Sequence, residues 1–224
     1  MKLPKPYFIR YTIADLAENT AVTMPGPREL RKRFDILIID DEDFIIKKNL
    51  AENGFQIFQK QDIETLRDVE AYPIILCDIR GVGVKLEYQK EGAVLIREIK
   101  KLYPNKRVVA YTGSTYDTTY NEYLDFADTV ISKGTSLDDW IQILDEQIRN
   151  CVNPKLQWDN LRQYLIKLNV PTMDIAKLED RYVHSILKKD FSGLSGLAES
   201  YGDTVKSIVV DLLSSTFVKL ITGG

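Results

Sequence analysis

The chain has 224 residues, of which 44% are hydrophobic and 28% are charged, and its formal net charge is -3. These proportions indicate a folded chain with an apolar core and exclude an intrinsically disordered one. The charge also excludes an overall basic field for nucleic acid or an anionic membrane, and leaves room only for a local patch.

Cysteine content and hydropathy bear on the compartment. Only two cysteines occur, Cys77 and Cys151, and this low number favours a reducing compartment over a disulfide framework. No apolar run approaches the roughly 18 residues that a membrane span needs, and the first residues lack the apolar stretch of a signal peptide. We therefore expect a cytoplasmic protein with no membrane segment.

The first 33 residues differ in pattern from the rest of the chain. Residues 7–13 alternate enough to predict a strand, the Met-Pro-Gly-Pro sequence at 24–27 ends it, and residues 28–33 are strongly charged. We interpret residues 1–33 as an N-terminal arm that packs either on its own domain or on a partner.

Residues 34–152 alternate between strand and helix patterns. Strands are predicted at 34–39, 55–59, 74–78, 107–112 and 129–132, and helices at 43–53, 63–70, 92–102, 117–126 and 137–148. Asp62 is a plausible N-cap for the second of these helices. Five strands that alternate with five helices predict a doubly wound α/β domain with a five-stranded parallel sheet.

Beyond residue 153 the pattern is helical only. Helices are predicted at 156–168, 173–187 and 204–221, with breaks at 169–171 and 191–196. We therefore expect a separate C-terminal all-α domain over residues 153–224.

Polar side chains stand where the predicted strands end. The apolar run at 74–77 ends in Asp78, the first strand runs into Asp40 and Asp41, the fourth ends in Thr112 and the fifth is followed by Lys133. Because open α/β sheets bind ligands at the carboxyl ends of their strands, we expect these groups to share one shallow pocket.

The chemistry of this set points to phosphate and a hard metal ion. Asp40, Asp41 and Asp78 would form an oxygen-only cluster suited to Mg2+. A carboxylate such as that of Asp78 can act as the nucleophile that forms an aspartyl phosphate. Lys133 would then neutralise phosphoryl oxygens, and Thr112 would donate a hydrogen bond to one of them.

These residues, in this order and each at the end of its own strand, closely resemble the receiver domain of two-component response regulators. The resemblance covers roughly residues 34–150 and implies the flavodoxin-like receiver fold, with the receiver domain placed at residues 34–152. It implies that Asp78 accepts a phosphoryl group from a histidine kinase or phosphotransfer protein, and that the chain is a switch rather than an enzyme acting on an external metabolite. The implied Mg2+ ligands are Asp40, Asp41, Asp78 and the backbone carbonyl of Arg80, and the implied phosphoryl contacts are Thr112 and Lys133.

Three departures from the family pattern concern the output. Val130 stands where the family usually has an aromatic switch residue, and Gly134 replaces the proline that usually follows the lysine through a cis peptide. The connection between Asp78 and Gly92 is longer than usual. The residues implied in phosphorylation are all present. Because Val130 and Gly134 depart from the family pattern, they do not predict the way in which the family usually passes on its signal.

The C-terminal helices leave several functions open. An apolar stripe within residues 205–221 favours a core or a homodimer seam, and so a tail that binds protein. Alanine and glycine within 197–202 are placed as in a helix-turn-helix, but Asp203 and Asp211 stand where that motif has apolar residues. Residues 151–224 contain nine Lys or Arg and eight Asp or Glu, so a DNA-binding transcription regulator is the less favoured alternative.

Two further interpretations concern the histidine and the acidic set. The chain's only histidine, His184, lies in a predicted helix; we interpret it as an ordinary helical side chain rather than a phosphotransfer histidine, since the residues around it do not follow that pattern. The remaining alternative for the chain is a pseudo-receiver that keeps the acidic residues and works as a phosphorylation-independent interaction module.

Overall fold

The computed structural model describes residues 7–16, 25–113 and 120–223. The chain forms two compact units: one is Pro25–Val152, and the other joins the described residues 7–16 to the chain from Asn153 onward. None of the described helices is long and apolar enough to cross a membrane. Residues 1–6 and 17–24 of the interpreted N-terminal arm and residues 117–119 of the helix predicted at 117–126 lie outside the described ranges.

The first unit is built on a five-stranded sheet in which every strand pair is parallel. Its strands are β1 Asp35–Ile39, β2 Gln56–Lys60, β3 Ile74–Asp78, β4 Arg107–Thr112 and β5 Thr129–Ser132. The strand order is β2-β1-β3-β4-β5, which is the flavodoxin-like arrangement. The predicted doubly wound parallel sheet is therefore confirmed.

Helices cover both faces of this sheet, and the alternation of strand residues assigns each side chain to one face. Ile39, Cys77 and Ala110 belong to a core cluster that includes buried residues of α3 (Glu91–Leu102) and of α4 (Asn121–Leu124). On the opposite face Trp140 of α5 (Leu137–Cys151) packs edge-on against Tyr111 of β4. Two short helices, α1 (Pro27–Arg31) and α2 (Lys47–Glu52), contact α5.

Two predicted helices of this unit are shorter in the structure. The helix predicted at 43–53 begins only at Lys47, and the one predicted at 63–70 is a short 3-10 turn, Leu66–Val69. Asp62 does not act as the predicted N-cap, because its carboxylate accepts hydrogen bonds from the backbone N–H groups of Gly83 and Lys85. The carboxylate that was predicted to cap a neighbouring helix thus binds backbone groups more than 20 residues away in the sequence.

The second unit is helical, as predicted. Its helices are α6 Pro154–Lys167, α7 Thr172–Lys188, α8 Ser192–Ala198, α9 Asp203–Ser214 and α10 Thr216–Thr222. The single helix predicted at 204–221 is wrong, because Ser215 has an extended backbone and its hydroxyl caps α10 by accepting from the Val218 N–H. The predicted break at 191–196 instead contains most of α8.

The strand predicted at 7–13 is also wrong. The backbone N–H groups of Arg10 and Tyr11 each donate to Oδ1 of Asp180 at 2.7 Å, and the Ile13 N–H donates to Glu179 at 2.8 Å. Both acids lie on α7, so carboxylates satisfy the donors that a neighbouring strand would otherwise have taken. A 3-10 turn, Ile13–Asp15, ends this segment.

Candidate functional site

Four neighbouring strands of the sheet end at one pocket. Asp40 directly follows β1, Asp78 ends β3, Thr112 ends β4 and Lys133 directly follows β5. Because β1, β3, β4 and β5 are adjacent in the sheet, their carboxyl ends bring these side chains to one edge. An open pocket of about 310 Å³ is lined by Asp41, Glu42, Asp78, Arg80, Gly81, Thr112, Gly113 and Lys133.

The three predicted acids lie close together. Each of Asp40, Asp41 and Asp78 offers a carboxylate oxygen, and these oxygens all lie within 4.8 Å of one another. Asp40 and Asp78 are only 2% and 5% exposed, whereas Asp41 is exposed. Three carboxylates at this spacing repel one another unless a cation lies among them, and hard oxygen donors of this kind suit a divalent metal ion such as Mg2+.

Lys133 supplies a cation from the protein itself. Its Nζ lies 2.6 Å from Oδ2 of Asp78 and 3.2 Å from Oδ2 of Asp40. Burial alone would lower the pKa of Lys133, but the hydrogen bonds and charges of Asp78 and Asp40 outweigh burial and raise it. The ammonium group is therefore protonated at neutral pH and links the ends of β1, β3 and β5.

The carboxylate of Asp78 is held on one side by the backbone. Its Oδ1 accepts from the N–H of Ile79 at 2.7 Å and from that of Arg80 at 3.4 Å, so Oδ2 is the oxygen on the Lys133 side. Burial raises the pKa of Asp78 above its ordinary value, although the contact with Lys133 opposes the shift. The contacts with Lys133 and with the Arg80 N–H favour the ionised form of Asp78.

Two glycines make room around these acids. Gly81 has a φ of +74°, and a Cβ at this position would overlap the carboxylate of Asp41. A Cβ on Gly92, at the start of α3, would overlap the backbone carbonyl oxygen of Asp78. The close approach of the chain to Asp41 and Asp78 therefore requires glycine at both positions.

The long connection after β3 is ordered rather than loose. It contains a 3-10 turn, Val84–Leu86, and Asp62 fixes it by accepting from the N–H groups of Gly83 at 2.7 Å and Lys85 at 3.0 Å. At its other end Glu91 accepts from the Gly81 N–H at 2.8 Å. These contacts hold Arg80, whose carbonyl the resemblance assigns to the metal, beside the pocket.

The structure also describes the two positions at which the sequence departs from the family pattern. Val130 is 39% exposed on β5. The peptide bond between Lys133 and Gly134 is trans, since the described residues contain no cis peptide bond. The Gly134 N–H donates to the Ser132 hydroxyl at 3.2 Å, which closes a tight turn after the lysine.

Sequence reasoning missed four residues around the site. Glu42 lines the pocket, and its position directly after Asp41 was an available signal. Tyr111 donates a hydrogen bond from its hydroxyl to Oδ2 of Asp40 at 2.8 Å. Burial raises the pKa of Tyr111, so the hydroxyl stays protonated at neutral pH. Asp62 and Glu91 come from other elements, and no spacing in the sequence connects them with the site.

Comparison with known proteins gives matches among solved structures. No protein-family model and no curated protein matches the sequence. A response regulator from Thermotoga maritima is 20% identical over 52% of this chain and 98% of its own, with a TM-score of 0.43. A CheY-like response regulator receiver domain protein from Methanospirillum hungatei JF-1 is 24% identical over 53% of this chain and 95% of its own, with a TM-score of 0.45. The receiver domain of NtrX from Brucella abortus is 25% identical over 51% of this chain and 98% of its own, with a TM-score of 0.44.

These matches concern the sheet-containing part of the chain and leave the C-terminal region unassigned. The strand order independently gives the flavodoxin-like topology. The flavodoxin-like fold that the resemblance implied is thus confirmed by the strand order. The solved structures to which this part of the chain is similar are described as response regulators or their receiver domains.

Proposed function

We propose that this protein is a two-component response regulator that accepts a phosphoryl group on Asp78 in a Mg2+-dependent reaction. The observation that carries the proposal is the arrangement around Asp78: its buried carboxylate lies 2.6 Å from the Lys133 ammonium group, and oxygens of Asp40 and Asp41 lie within 4.8 Å. Such a set combines a nucleophile, a fixed positive charge and ligands for a hard cation.

The transfer needs little of the protein beyond positioning. A carboxylate oxygen of Asp78 attacks the phosphorus atom of a phosphohistidine on the donor protein, and the bond between phosphorus and the imidazole nitrogen breaks. The leaving nitrogen keeps the electron pair and takes a proton from solvent, and Asp78 carries an acyl phosphate. Lys133 contacts the transferred phosphoryl oxygens, and the Thr112 hydroxyl donates to one of them.

Mg2+ would be held by carboxylates of Asp40, Asp41 and Asp78 and by the backbone carbonyl of Arg80. When bound, the ion neutralises negative charge on the phosphoryl group and on the acids around it. The protein's own part is to keep Asp41 and Asp78 close, which the missing side chain of Gly81 allows. The backbone N–H of Ile79 orients Asp78 at the same time.

The output in this proposal is a change of protein contacts, carried by the receiver and the helices from α6 to α10. The input partner is a histidine kinase or a phosphotransfer protein, and the protein acts in the cytoplasm as a switch without turnover of a metabolite. A homodimer through the C-terminal helices is one form that the output can take. DNA binding is less favoured, because nine basic and eight acidic residues in 151–224 give no basic footprint.

Intact-protein mass spectrometry after incubation with Mg2+ and acetyl phosphate tests the proposal. We expect one labile phosphoryl adduct on the wild type and none on Asp78→Asn. Asp35→Asn is the matched control, because Asp35 begins β1 at the opposite end of the sheet, and it keeps the adduct. An equal adduct on Asp78→Asn contradicts the assignment, and folded wild type without an adduct favours the phosphorylation-independent module.

A further inference from the structure

A buried tyrosine touches the metal site without lining it. Tyr111 is 0% exposed, and its hydroxyl donates to Oδ2 of Asp40 at 2.8 Å. The other oxygen, Oδ1, accepts from the backbone N–H of Glu42 at 3.0 Å. Lys133 also lies 3.2 Å from Oδ2. Donors on both oxygens fix the plane of the carboxylate, because rotation of the side chain would break the bond from Tyr111 or the bond from Glu42.

The sheet explains why Tyr111 reaches this acid. Tyr111 of β4 is the register partner of Asp78 of β3. By the two-residue alternation of strands, Asp40, Asp78 and Tyr111 belong to the same face of the sheet. Tyr111 therefore lies beside the two buried acids, under the pocket rather than in its wall, and the residues that line the pocket do not include it.

The ring of Tyr111 is itself held in place. Phe44 packs against it with a centroid distance of 5.4 Å at 68°, and Trp140 does so at 5.8 Å and 81°. Phe44 and Trp140 also meet edge-on at 5.3 Å. Three rings in mutual edge-to-face contact leave the hydroxyl little freedom, so its position relative to Asp40 is fixed by packing.

We propose that Tyr111 is a positioning residue for the metal site: its hydroxyl orients the carboxylate of Asp40 toward the cation shared with Asp41 and Asp78. The inference rests on the proposed function and adds a residue to it. An ionised carboxylate has about four lone-pair sites, so the contacts from Tyr111, Glu42 and Lys133 still leave acceptor capacity for the ion or for one of its waters. Outer partners that orient a metal ligand change metal affinity by about 10- to 100-fold when removed.

Isothermal titration of the full chain with Mg2+ is the test, with Tyr111→Phe against wild type. The substitution removes one oxygen atom and keeps the aromatic packing. The matched control is Tyr182→Phe, since Tyr182 is likewise fully buried and donates a single hydroxyl bond, to the Pro154 carbonyl, in the other unit. We expect the Mg2+ dissociation constant of Tyr111→Phe to rise about tenfold or more, and that of Tyr182→Phe to stay unchanged.

A second readout separates positioning from a general loss of structure. The Mg2+ concentration that half-saturates phosphorylation by acetyl phosphate rises by the same factor in Tyr111→Phe, while the rate at saturating Mg2+ stays within about twofold, because Tyr111 touches no reacting atom. If circular dichroism shows that the phenylalanine variant does not fold, Tyr111→Met replaces it, since methionine also lacks the hydroxyl and fills irregular space.

The outcomes distinguish this inference from the proposed function. Wild type that binds Mg2+ and is phosphorylated, together with a Tyr111→Phe affinity equal to wild type, overturns the role of Tyr111 and leaves the function standing. Folded wild type that binds no Mg2+ overturns both. A fall in the saturated rate with an unchanged dissociation constant also contradicts positioning through Asp40.

Discussion

The ammonium group of Lys133 lies between two buried acids, 2.6 Å from Asp78 and 3.2 Å from Asp40. Its charge compensates the carboxylates, but it also repels a divalent cation that would bind the same oxygens. One side chain thus has opposite effects on metal affinity and on phosphoryl transfer, and its replacement should separate the two.

Replacing Lys133 with methionine should tighten Mg2+ binding severalfold and slow phosphorylation of Asp78 by about tenfold or more, because the carboxylates gain negative potential while the phosphoryl oxygens lose a fixed cation. Titration calorimetry and phosphorylation rates measure the two effects. Lys85→Met is the control, since Lys85 is exposed and pairs with Glu64 away from Asp78. If Lys133→Met loses both Mg2+ affinity and phosphorylation rate, Lys133 does not have opposite effects on metal binding and on phosphoryl transfer.

Gly81→Ala should weaken Mg2+ binding beyond any effect of backbone strain. The new Cβ would overlap the carboxylate of Asp41, so the acid must move from the cluster. Gly54→Ala provides the matched control, because Gly54 also has a positive φ, +91°, but nothing lies within 4 Å of its added Cβ. Each variant should lose about 1–2 kcal/mol of unfolding free energy from the left-handed backbone, and only Gly81→Ala should lose metal affinity. Equal Mg2+ affinities in the two variants contradict the close packing at Asp41.

The segment 7–16 should detach from α7 in acid. Burial alone would raise the pKa of Asp180, but the hydrogen bonds from Tyr7, Arg10 and Tyr11 outweigh burial and lower it. Because the folded pKa is below the unfolded value of about 3.9, this stabilisation is present above that value and disappears as the pH falls through the lowered pKa. Hydrogen exchange of the Arg10 and Tyr11 amides measures it, and in Asp180→Asn the acid dependence should be absent.

The same contact also predicts a loss of stability in alkali. Burial and the bond to Asp180 raise the pKa of Tyr7 to about 12. A folded pKa above the unfolded value of about 10 stabilises the segment fully below pH 10, and this contribution is lost as the pH rises toward the folded value. Tyr7→Phe should remove that dependence. If the segment detaches at the same alkaline pH in wild type and in Tyr7→Phe, ionisation of Tyr7 does not cause the detachment.

Asp128→Asn should destabilise the sheet-containing unit by about 3–5 kcal/mol, because it removes the negative charge that pairs with the buried Arg107 and the partly buried Lys100. Asp128 lies 2.7 Å from Arg107 and 3.1 Å from Lys100, and it accepts from the Val108 N–H at 2.7 Å. Urea unfolding measures the change. Asp125→Asn, at an exposed position nearby, should stay within about 0.5 kcal/mol of wild type; a similar small change for Asp128 contradicts the importance of this network.

The sheet and the acidic pocket could be predicted because their signals are local. A buried parallel strand is a short apolar run, and the polar residue that ends it, as Asp78 ends β3, lies at a predictable edge. Tyr111 was missed because its signal is not local. A tyrosine within an apolar run cannot be told from an ordinary core residue until the partner of its hydroxyl group is known.

The errors lie where remote groups replace local partners. Residues 7–13 have strand-like alternation, but Asp180 and Glu179 satisfy their backbone donors. Asp62 precedes a helical pattern, yet its carboxylate holds the connection after β3. No window of neighbouring residues contains these contacts, and so propensity and spacing could not predict them.

Chemical trapping of the acyl phosphate identifies the modified residue itself. Wild type is phosphorylated with acetyl phosphate and Mg2+ and reduced at once with borohydride, which converts an aspartyl phosphate to homoserine, and its peptides are then sequenced by mass spectrometry. We expect homoserine at position 78 alone, and only when Mg2+ is present. Homoserine at Asp40 or Asp41, or the same yield without Mg2+, would contradict Mg2+-dependent phosphorylation of Asp78.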